Sequence, residues 1–412
     1  MTKTKNSKII TQHYDYMLMA LLPLMVCASF IYSARVLLVC GTAFITARVV
    51  DVGVAVLRKQ EIDTDDKSSA VAALTFCMML PVSIPLYIVA VTVALTVLVG
   101  KHVFGGKDVY PFNLAALAMC VAAVNWPEEV FKAVTPMTAV NFWTGAAQST
   151  STALSQIKLG GLPYISTFNL LLGNHAAAMG SAFVLVILSI GLFLVVTKRI
   201  TWHVPVAFLA TCSAIAMAFP RIYGMSFLYS LKYEILCSAI VFYAVFMLNE
   251  PATTPKKPQA KLVFGVLTGV LTMLFRYYGS YEIGGCFAIL LVNATEGFWD
   301  RLFEKSADEE KAEHKTELKA GHKTEPKAKP KHKPAVAVKE ESKSSKKVYT
   351  KESKAKPAAK KEQPVNSMDK TTTLDIISRA EDDIDQVSFS TQTIDMEQAL
   401  REFEEKYNKG GK

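Results

Sequence analysis

The chain has 412 residues, of which 51% are hydrophobic, and a formal net charge of +9. Apolar stretches of about 17 to 25 residues follow one another up to residue 298, and the remainder is rich in Lys, Glu, Ala and Pro, so the composition excludes a wholly soluble globular protein. The positive charge lies largely in the tail and the loops and does not indicate nucleic-acid binding, which leaves an integral membrane protein, surrounded by membrane lipids, with a soluble appendage.

Ten apolar segments predict transmembrane helices, because a helix needs about 20 residues to cross the hydrocarbon layer. The third segment is interrupted by Pro81 and Pro85, a pattern typical of a broken or half helix. We therefore predict an all-α integral membrane fold with about ten transmembrane helices and some short or re-entrant segments. The predicted spans are 15–33, 35–57, 68–82, 86–101, 112–126, 180–197, 202–219, 230–248, 261–278 and 280–298.

Lysine and arginine indicate the orientation, because positively charged loops are retained on the cytoplasmic side. With the N-terminus in the cytoplasm, most loop cations fall on the inner side. Residues 1–14 then form a cytoplasmic N-terminal segment and residues 15–301 form the membrane domain. Both termini are predicted to be cytoplasmic, the chain to lie in the cell (cytoplasmic) membrane, and the long loop at 127–179 to lie outside.

Two ionisable residues fall inside the second predicted span. Arg48 and Asp51 are three residues apart, so they lie on one helix face and can pair. Charges inside a membrane are costly and mark either a structural pair or a path for ions. A structural pair is our first interpretation, and a role in ion movement is the alternative.

The predicted external loop contains a run of hydroxyl side chains. Residues 148–161 read QSTSTALSQIKLGG, and either an ordinary polar loop or a loop whose hydroxyl carries a bound group fits this run. The following piece, FNLLLGNHAAAMG, is apolar but interrupted by Asn and Gly, which is typical of a re-entrant or interfacial segment.

The C-terminal tail is predicted to have two parts. Residues 302–392 form a disordered charged linker, because they contain almost nothing to bury. Within 393–412, the segment TIDMEQALREFEEKY predicts a short amphipathic helix with one apolar stripe. A solvated helix and a helix docked on a cytoplasmic partner are the two interpretations.

Several motifs occur in one order along the membrane domain. They are GKHVFGG at 100–106 with PFNLAAL at 111–117, LLLGN at 170–174, TKRITWHVPVAFL at 197–209 and NEPATTP at 249–255. The ordered set resembles the RnfD/NqrB family, the large membrane subunits of the Rnf redox pump and of the sodium-pumping NADH:quinone reductase. The chain length is more similar to the Rnf type. The resemblance covers residues 15–301 and implies a urea-channel-like fold.

The resemblance also implies a covalent flavin. The family attaches FMN through a phosphoester to a threonine, and TALSQIK here aligns with the family's T-P-L-A-Q-L-K, which places the attachment on Thr152. Thr150, or no covalent flavin, remains as an alternative, because Ala146 stands where the family has an acid that its flavin transferase reads. The further cofactor-binding candidates are Ser149, Ser151, Gly173, Asn174 and Asn113.

The implied function is that of a flavoprotein subunit that passes electrons between flavins and couples this transfer to Na⁺ or H⁺ export. The implied cofactors are the covalent FMN and a second, non-covalent flavin, riboflavin. The implied partners are Rnf-type subunits that carry iron–sulfur clusters and flavin, and a separate flavin transferase. Substrate oxidation falls to the partners, because this chain has no dinucleotide-binding glycine motif and no cluster cysteines.

Two other classes of function fit the same sequence. A channel or transporter for a small solute can be built from repeated halves with broken helices, and it would carry no flavin. A cofactor-free scaffold would only hold cofactor-bearing partners. The colour of the purified protein separates these classes from a flavoprotein.

Overall fold

The computed structural model describes residues 2–303, except Asp108, Tyr164, 222–225, 280–282 and Asp300, with side chains from Ile10 onward. The named elements within these residues are all helices, as predicted. They are α1 (Thr2–Ile31), α2 (Arg35–Leu57), α3 (Ser68–Met78), α4 (Leu86–Leu95), α5 (Leu114–Asn125), α6 (Pro127–Val130), α7 (Ala153–Lys158), α8 (Thr167–Leu172), α9 (Val184–Val196), α10 (His203–Ala218), α11 (Phe227–Leu236), α12 (Ile240–Phe242), α13 (Pro258–Tyr278) and α14 (Gly284–Asn293). Two helices continue as π-helical turns, α4 through Thr96–His102 and α12 through Tyr243–Met247.

Three of these helices are long and apolar enough to cross a membrane alone: α2, α13 and the part of α1 from Ile10 to Ile31. The bent pair of α11 and α12 provides a fourth span if it is counted as one. The remaining apolar helices have 10–17 residues. Each predicted span contains an apolar helix, which is consistent with a multi-pass membrane protein. The number of ten spans and the urea-channel-like fold stay predictions.

The first helix begins before the first predicted span, because α1 runs without a break from Thr2 to Ile31. The cytoplasmic location of residues 1–14 stays a prediction. His13 and Tyr14 are buried, with 7% and 1% of their surfaces exposed, so packing extends the helix beyond the apolar stretch.

The helix layer is interrupted at two places. Between α3 and α4, residues 79–85 form turns rather than helix, at the two prolines that predicted this break. Between α11 and α12, the chain bends by 59° at 237–239, so the predicted span at 230–248 consists of two helices rather than one. The hydroxyl of Ser238 donates to the carbonyl of Glu234 at 2.8 Å, a backbone contact that favours bending.

The loop between α6 and α7 is held to the first break by Arg35, which is fully buried at the start of α2. Its guanidinium donates to the carbonyls of Val82 and Ile84, both at 2.9 Å, and to those of Phe142 and Trp143 at 2.6 and 2.8 Å. One buried cation therefore joins the helix break to the loop without a carboxylate partner among these contacts.

Gly145 lies against this guanidinium with a φ of +75°. A Cβ atom at this position would come within 2.7 Å of Arg35 Nη2 and 2.6 Å of the carbonyl oxygen of Ser83. Glycine is required here for both reasons, because larger residues would strain the backbone and displace Arg35.

The predicted C-terminal elements fall almost wholly outside the described residues. Residues 302 and 303, the first of the predicted linker at 302–392, are helical. The rest of that linker and the predicted helix within 393–412 lie outside the described part of the chain.

Candidate functional site

A cavity in the described part of the chain lies between the two helix breaks. Its volume is about 420 Å³, within the range of small-molecule sites. Met79 and Pro81 line it from the first break, and Cys237, Ser238 and Ala239 line it from the second. The remaining lining residues are Met119, Pro127, Glu128, Val130, Phe131, Ala133, Thr150, Ser151, Thr152, Leu154, Ser155, Lys158, Ala176, Ala177, Ala178, Ser181, Tyr243 and Ile283.

Thr152 lies on the wall of this cavity as the residue that caps the start of α7. Its backbone is extended, and its Oγ1 accepts a hydrogen bond from the N–H of Ser155 at 3.0 Å. The side chain is half-buried, so its hydroxyl is both fixed in position and reachable from the cavity.

The short helix α7 is anchored by a small apolar cluster of its own. Ala153, Leu154 and Ile157 form its buried face. They pack with Leu170 of α8, with Tyr233 of α11 and with Cys237 at the bend that follows α11. The position of Thr152 is therefore set by packing against the same bent helix pair that borders the cavity.

The hydroxyl run before α7 is fixed by backbone pairing. Ser149 forms the isolated antiparallel bridge with Val134, and the N–H of Thr150 donates to the carbonyl of Ala133 at 3.0 Å. Thr150 and Ser151 line the cavity with Thr152, whereas Ser149 is not among the lining residues. The structure thus brings three of the four hydroxyls to one wall.

The segment after α8 also lines the cavity, through residues 176–178. The N–H groups of Met179 and Gly180 donate to the carbonyls of Leu80 and Met78 at 2.9 and 2.8 Å, which pairs this segment with the first helix break. The hydroxyl of Tyr32 donates to the carbonyl of His175 at 2.9 Å. Residues 176–178 are held against the cavity by these contacts at both sides.

Three of the predicted cofactor-binding residues lie away from this cavity. Gly173 ends α8 with a φ of +79°, and a Cβ there would come within 2.7 Å of the Phe183 ring. Asn174 follows it, with its N–H bonded to the carbonyl of Asn169 at 2.9 Å. Asn113 caps α5 through the N–H of Ala116 at 3.0 Å. Gly173, Asn174 and Asn113 remain cofactor candidates only as predictions, because the contacts observed here are structural.

The ion-pathway candidates Arg48 and Asp51 lie in a separate charged cluster near the C-terminal end of α2. Arg48 Nη1 is 3.9 Å from Asp51 Oδ2, so the two residues do pair. Closer contacts come from the π-helical turn after α4, where Lys101 Nζ and His102 Nε2 lie 3.2 and 2.8 Å from Asp51 Oδ1. Lys101 also lies 2.8 Å from Asp66 Oδ2. Asp51 therefore belongs to a network rather than to one pair.

Lys101 is the centre of this network, with 1% of its side chain exposed. Besides the two carboxylates, its ammonium donates to Ser69 Oγ at 2.6 Å, so each of its N–H bonds has an acceptor. Burial would raise the pKa of the Asp66 carboxyl, but the charge of Lys101 and the hydrogen bonds from Lys101 and Ser68 outweigh it and hold that pKa below its usual value. A second cavity of about 240 Å³ adjoins the cluster.

Sequence reasoning missed the roles of Arg35 and Lys101. In the sequence, both are only charges that help to set the orientation of the loops. The sequence does show that each of the two is a cation at the boundary of an apolar run. It does not show which groups they bind, because their hydrogen-bond acceptors are distant in sequence.

The comparisons with known proteins cover the same part of the chain. A family described as "NQR2, RnfD, RnfE family" matches residues 3–307. The chain belongs to this family. The motif-based recognition is thereby confirmed, and the family match includes the cavity, Thr152 and the charged cluster around Lys101.

Individual relatives within the NQR2, RnfD, RnfE family share somewhat under a third of the aligned residues with this chain. One is the D subunit of the proton-translocating ferredoxin:NAD(+) oxidoreductase complex of Clostridium ljungdahlii, which is 29% identical over 69% of this chain and 87% of its own. The D subunit of the ion-translocating oxidoreductase complex of Mannheimia succiniciproducens is 28% identical over 70% and 90%. A protein of the same description from Pseudomonas aeruginosa is 30% identical over 66% and 84%.

Two of the family motifs quoted above, PFNLAAL and NEPATTP, lie close together in the structure. Asn113, from the PFNLAAL motif, donates from Nδ2 to the carbonyl of Met247 at 2.8 Å, just before the NEPATTP motif. Glu250 of that motif accepts hydrogen bonds from the hydroxyls of Tyr14 and Tyr110 at 2.5 and 2.6 Å. These contacts therefore join α1, the start of α5, Tyr110 and the end of α12.

Proposed function

We propose that this chain is a membrane flavoprotein subunit of an ion-translocating redox complex, and that it carries FMN covalently on Thr152. The observation that carries the proposal is the position of the Thr152 hydroxyl on the wall of the cavity between the two helix breaks. The alignment of TALSQIK with the family's attachment motif selects the same residue independently of the cavity.

The residues of the cavity fit a flavin. Met79, Met119 and Ile283 provide apolar surface for a flat ring system. The hydroxyls of Ser181 and Tyr243 lie on the same walls and supply polar groups for ring atoms. A bound flavin would supply one- and two-electron transfer, and the protein would orient it and set its surroundings.

Attachment requires a hydroxyl oxygen that another enzyme can reach. Thr152 Oγ1 would form the bond to the FMN phosphorus of FAD, while the phosphoanhydride bond breaks, AMP leaves with its electron pair, and the hydroxyl proton passes to the transferase. The extended backbone and small neighbours of Thr152 leave its oxygen accessible, whereas the hydrogen bond from Ser155 fixes its direction.

The assignment to a redox complex is supported by the relatives, whose descriptions name ion-translocating and proton-translocating oxidoreductase complexes. We propose Na⁺ or H⁺ as the exported ion, iron–sulfur and flavin subunits as partners, and a cytoplasmic membrane location with the Thr152 loop outside. The second flavin predicted from the family is proposed without residues assigned to it. Arg48 and Asp51 remain candidates for the ion path.

The test of the flavin attachment separates the two roles of the Thr152 side chain, which caps α7 and supplies a hydroxyl oxygen. Thr152→Asn keeps a good helix cap but has no hydroxyl, and Thr152→Ser keeps both. With the matching transferase co-expressed, the wild type and Thr152→Ser should give a flavin-fluorescent band after denaturing electrophoresis, and Thr152→Asn should be dark. Thr150→Ala and Ser151→Ala serve as matched controls on the same wall and should stay fluorescent.

Two results would refute the attachment. A fluorescent Thr152→Asn band would move the bond to another residue. A dark wild-type band, with its own transferase present, would end the covalent-flavin proposal for this chain. Ala146→Asp tests the departure from the family motif, and it should increase labelling by a foreign transferase if that enzyme reads the acid.

A solute channel is the second candidate, because the cavity lies between helix breaks, and transporters with discontinuous helices place their binding sites at such breaks. A channel should be colourless after purification and should conduct its solute in vesicles. A yellow protein without solute flux would exclude it. A cofactor-free scaffold would also be colourless, but its complex would assemble normally.

A further inference from the structure

The described residues that line the cavity include two charged side chains, Glu128 and Lys158. Glu128 comes from α6 and Lys158 from the last position of α7, six residues after Thr152. Both are at least partly exposed, so they lie at the mouth of the cavity rather than in its interior. The mouth thus presents opposite charges from two different helices.

Lys158 already makes a contact that orients it. Its Nζ donates to the carbonyl of Gly279 at 3.1 Å, just past the end of α13. This carbonyl lies at a helix C-terminus, which favours a cation. The contact to Gly279 uses one of the three N–H bonds of the ammonium, whose positive charge stays at the mouth.

A phosphodiester on Thr152 would place a negative charge close to α7. Glu128 on the other helix repels such a charge, whereas a lysine attracts it and donates charge-assisted hydrogen bonds. The hydroxyls of Thr150 and Ser151 could donate to the same oxygens, but they carry no charge to balance it. Lys158 is therefore the described lining residue suited to hold the phosphate.

We propose that Lys158 is a positioning residue, which binds the phosphodiester of the flavin on Thr152 and so fixes the ring in the cavity. This inference rests on the proposed function. With the phosphate held at the mouth by α7, the ring is directed away from Glu128 and toward the apolar walls formed by Met79 and Met119.

The alternative is that Lys158 only ties α7 to the end of α13. A tie of this kind depends on the hydrogen bond to Gly279 and is insensitive to the charge of Glu128. A phosphate partner depends on charge, because removal of the negative neighbour compensates in part for loss of the positive one. The two roles therefore predict different behaviour of a double variant.

The test measures covalent flavin per protein, from in-gel fluorescence, and the midpoint potential of the bound flavin, in four variants co-expressed with limiting transferase. Lys158→Arg should match the wild type. Lys158→Met should lose several-fold in flavin content, and its residual flavin should have a lower midpoint potential. Glu128→Gln should keep its flavin and shift the potential upward. Lys158→Met/Glu128→Gln should regain part of the lost flavin.

Wild-type flavin content and potential in Lys158→Met would overturn the inference, as would a double variant no better than Lys158→Met alone. If Lys158→Met does not accumulate in the membrane, Lys158→Gln, which retains a donor for Gly279, replaces it in the same comparison. A dark wild type or a fluorescent Thr152→Asn refutes the proposed function itself. A fluorescent wild type with Lys158→Met unchanged refutes only the role of Lys158.

Discussion

Replacement of Lys101 by methionine should destabilise the protein far more than replacement of another paired lysine. Lys101→Met keeps the volume and removes the charge that lies between Asp51 and Asp66, at 3.2 and 2.8 Å. Breaking a buried ion pair by removing one partner costs about 3–5 kcal/mol. Asp51 keeps His102 and Arg48, so we expect a loss near the lower limit, about 3 kcal/mol.

Lys107→Met is the matched control. Lys107 Nζ lies 2.9 Å from Asp63 Oδ2, but half of the Asp63 side chain is exposed, so this pair contributes at most about 1 kcal/mol. In thermal unfolding of the purified protein, Lys101→Met should lower the midpoint by roughly 6–12 °C and Lys107→Met by no more than about 4 °C.

The pH dependence provides an independent check. In the wild type the Asp66 pKa is lowered, so this carboxylate contributes stability above its unfolded pKa, and that stability is lost as the pH falls through the folded pKa. Lys101→Met leaves Asp66 buried without its cation, which raises the pKa of the Asp66 carboxyl. Protonation of Asp66 should therefore reduce the destabilisation of the variant. The difference in unfolding temperature between wild type and Lys101→Met should therefore narrow toward acidic pH. Equal losses in Lys101→Met and Lys107→Met, or a gap that widens in acid, would refute the reasoning.

Further outcomes are expected elsewhere in the chain. A lysine cannot form the four hydrogen bonds of Arg35 to carbonyls, so Arg35→Lys should lower the free energy of unfolding by about 1–3 kcal/mol and reduce flavin content. Arg58→Lys, whose hydrogen bond to the His102 carbonyl is exposed, should change neither, and equal effects of the two variants would contradict the role of Arg35. An impermeant thiol reagent outside the cell should label Ala147→Cys but not Lys256→Cys, and the opposite pattern would invert the proposed orientation. A stop codon after residue 305 should leave membrane insertion and flavin content unchanged, and loss of either would show that the tail is part of the membrane domain.

The helices within the ten predicted spans could be predicted because each is an apolar run bounded by polar residues, Gly or Pro, whereas the short helices α6, α7 and α8 were not predicted. The break between α3 and α4 was visible for the same reason, since Pro81 and Pro85 interrupt the run. The bend after α11 was not visible, because 237–239 contains neither Pro nor Gly and depends on a hydroxyl contact to Glu234. Helix positions follow from local sequence, but their interruptions follow from it only when the breaking residue has a strong backbone preference.

The candidate site was predictable to a smaller extent. The motif located Thr152, and the structure places it on a cavity wall. The motif residues Asn113 and Gly173 cap helices in the structure, and their role toward a cofactor stays a prediction, because a motif does not distinguish a residue that contacts a ligand from one that shapes the backbone. The lining residues Met79 and Tyr243 lie far from Thr152 in sequence, so only the fold brings them to it.

The π-helical turn at Thr96–His102 has a consequence for the length of the chain in this region. Consecutive residues of an α-helix point about 100° apart, yet Lys101 and His102 both reach one oxygen of Asp51. A π-helical turn contains an extra residue compared with an α-helical turn. Deletion of one residue within this turn would restore ordinary helix and rotate the following side chains away from Asp51. Relatives of this protein with one residue fewer at this point should therefore bind the α2 carboxylate with a different side chain or have none there.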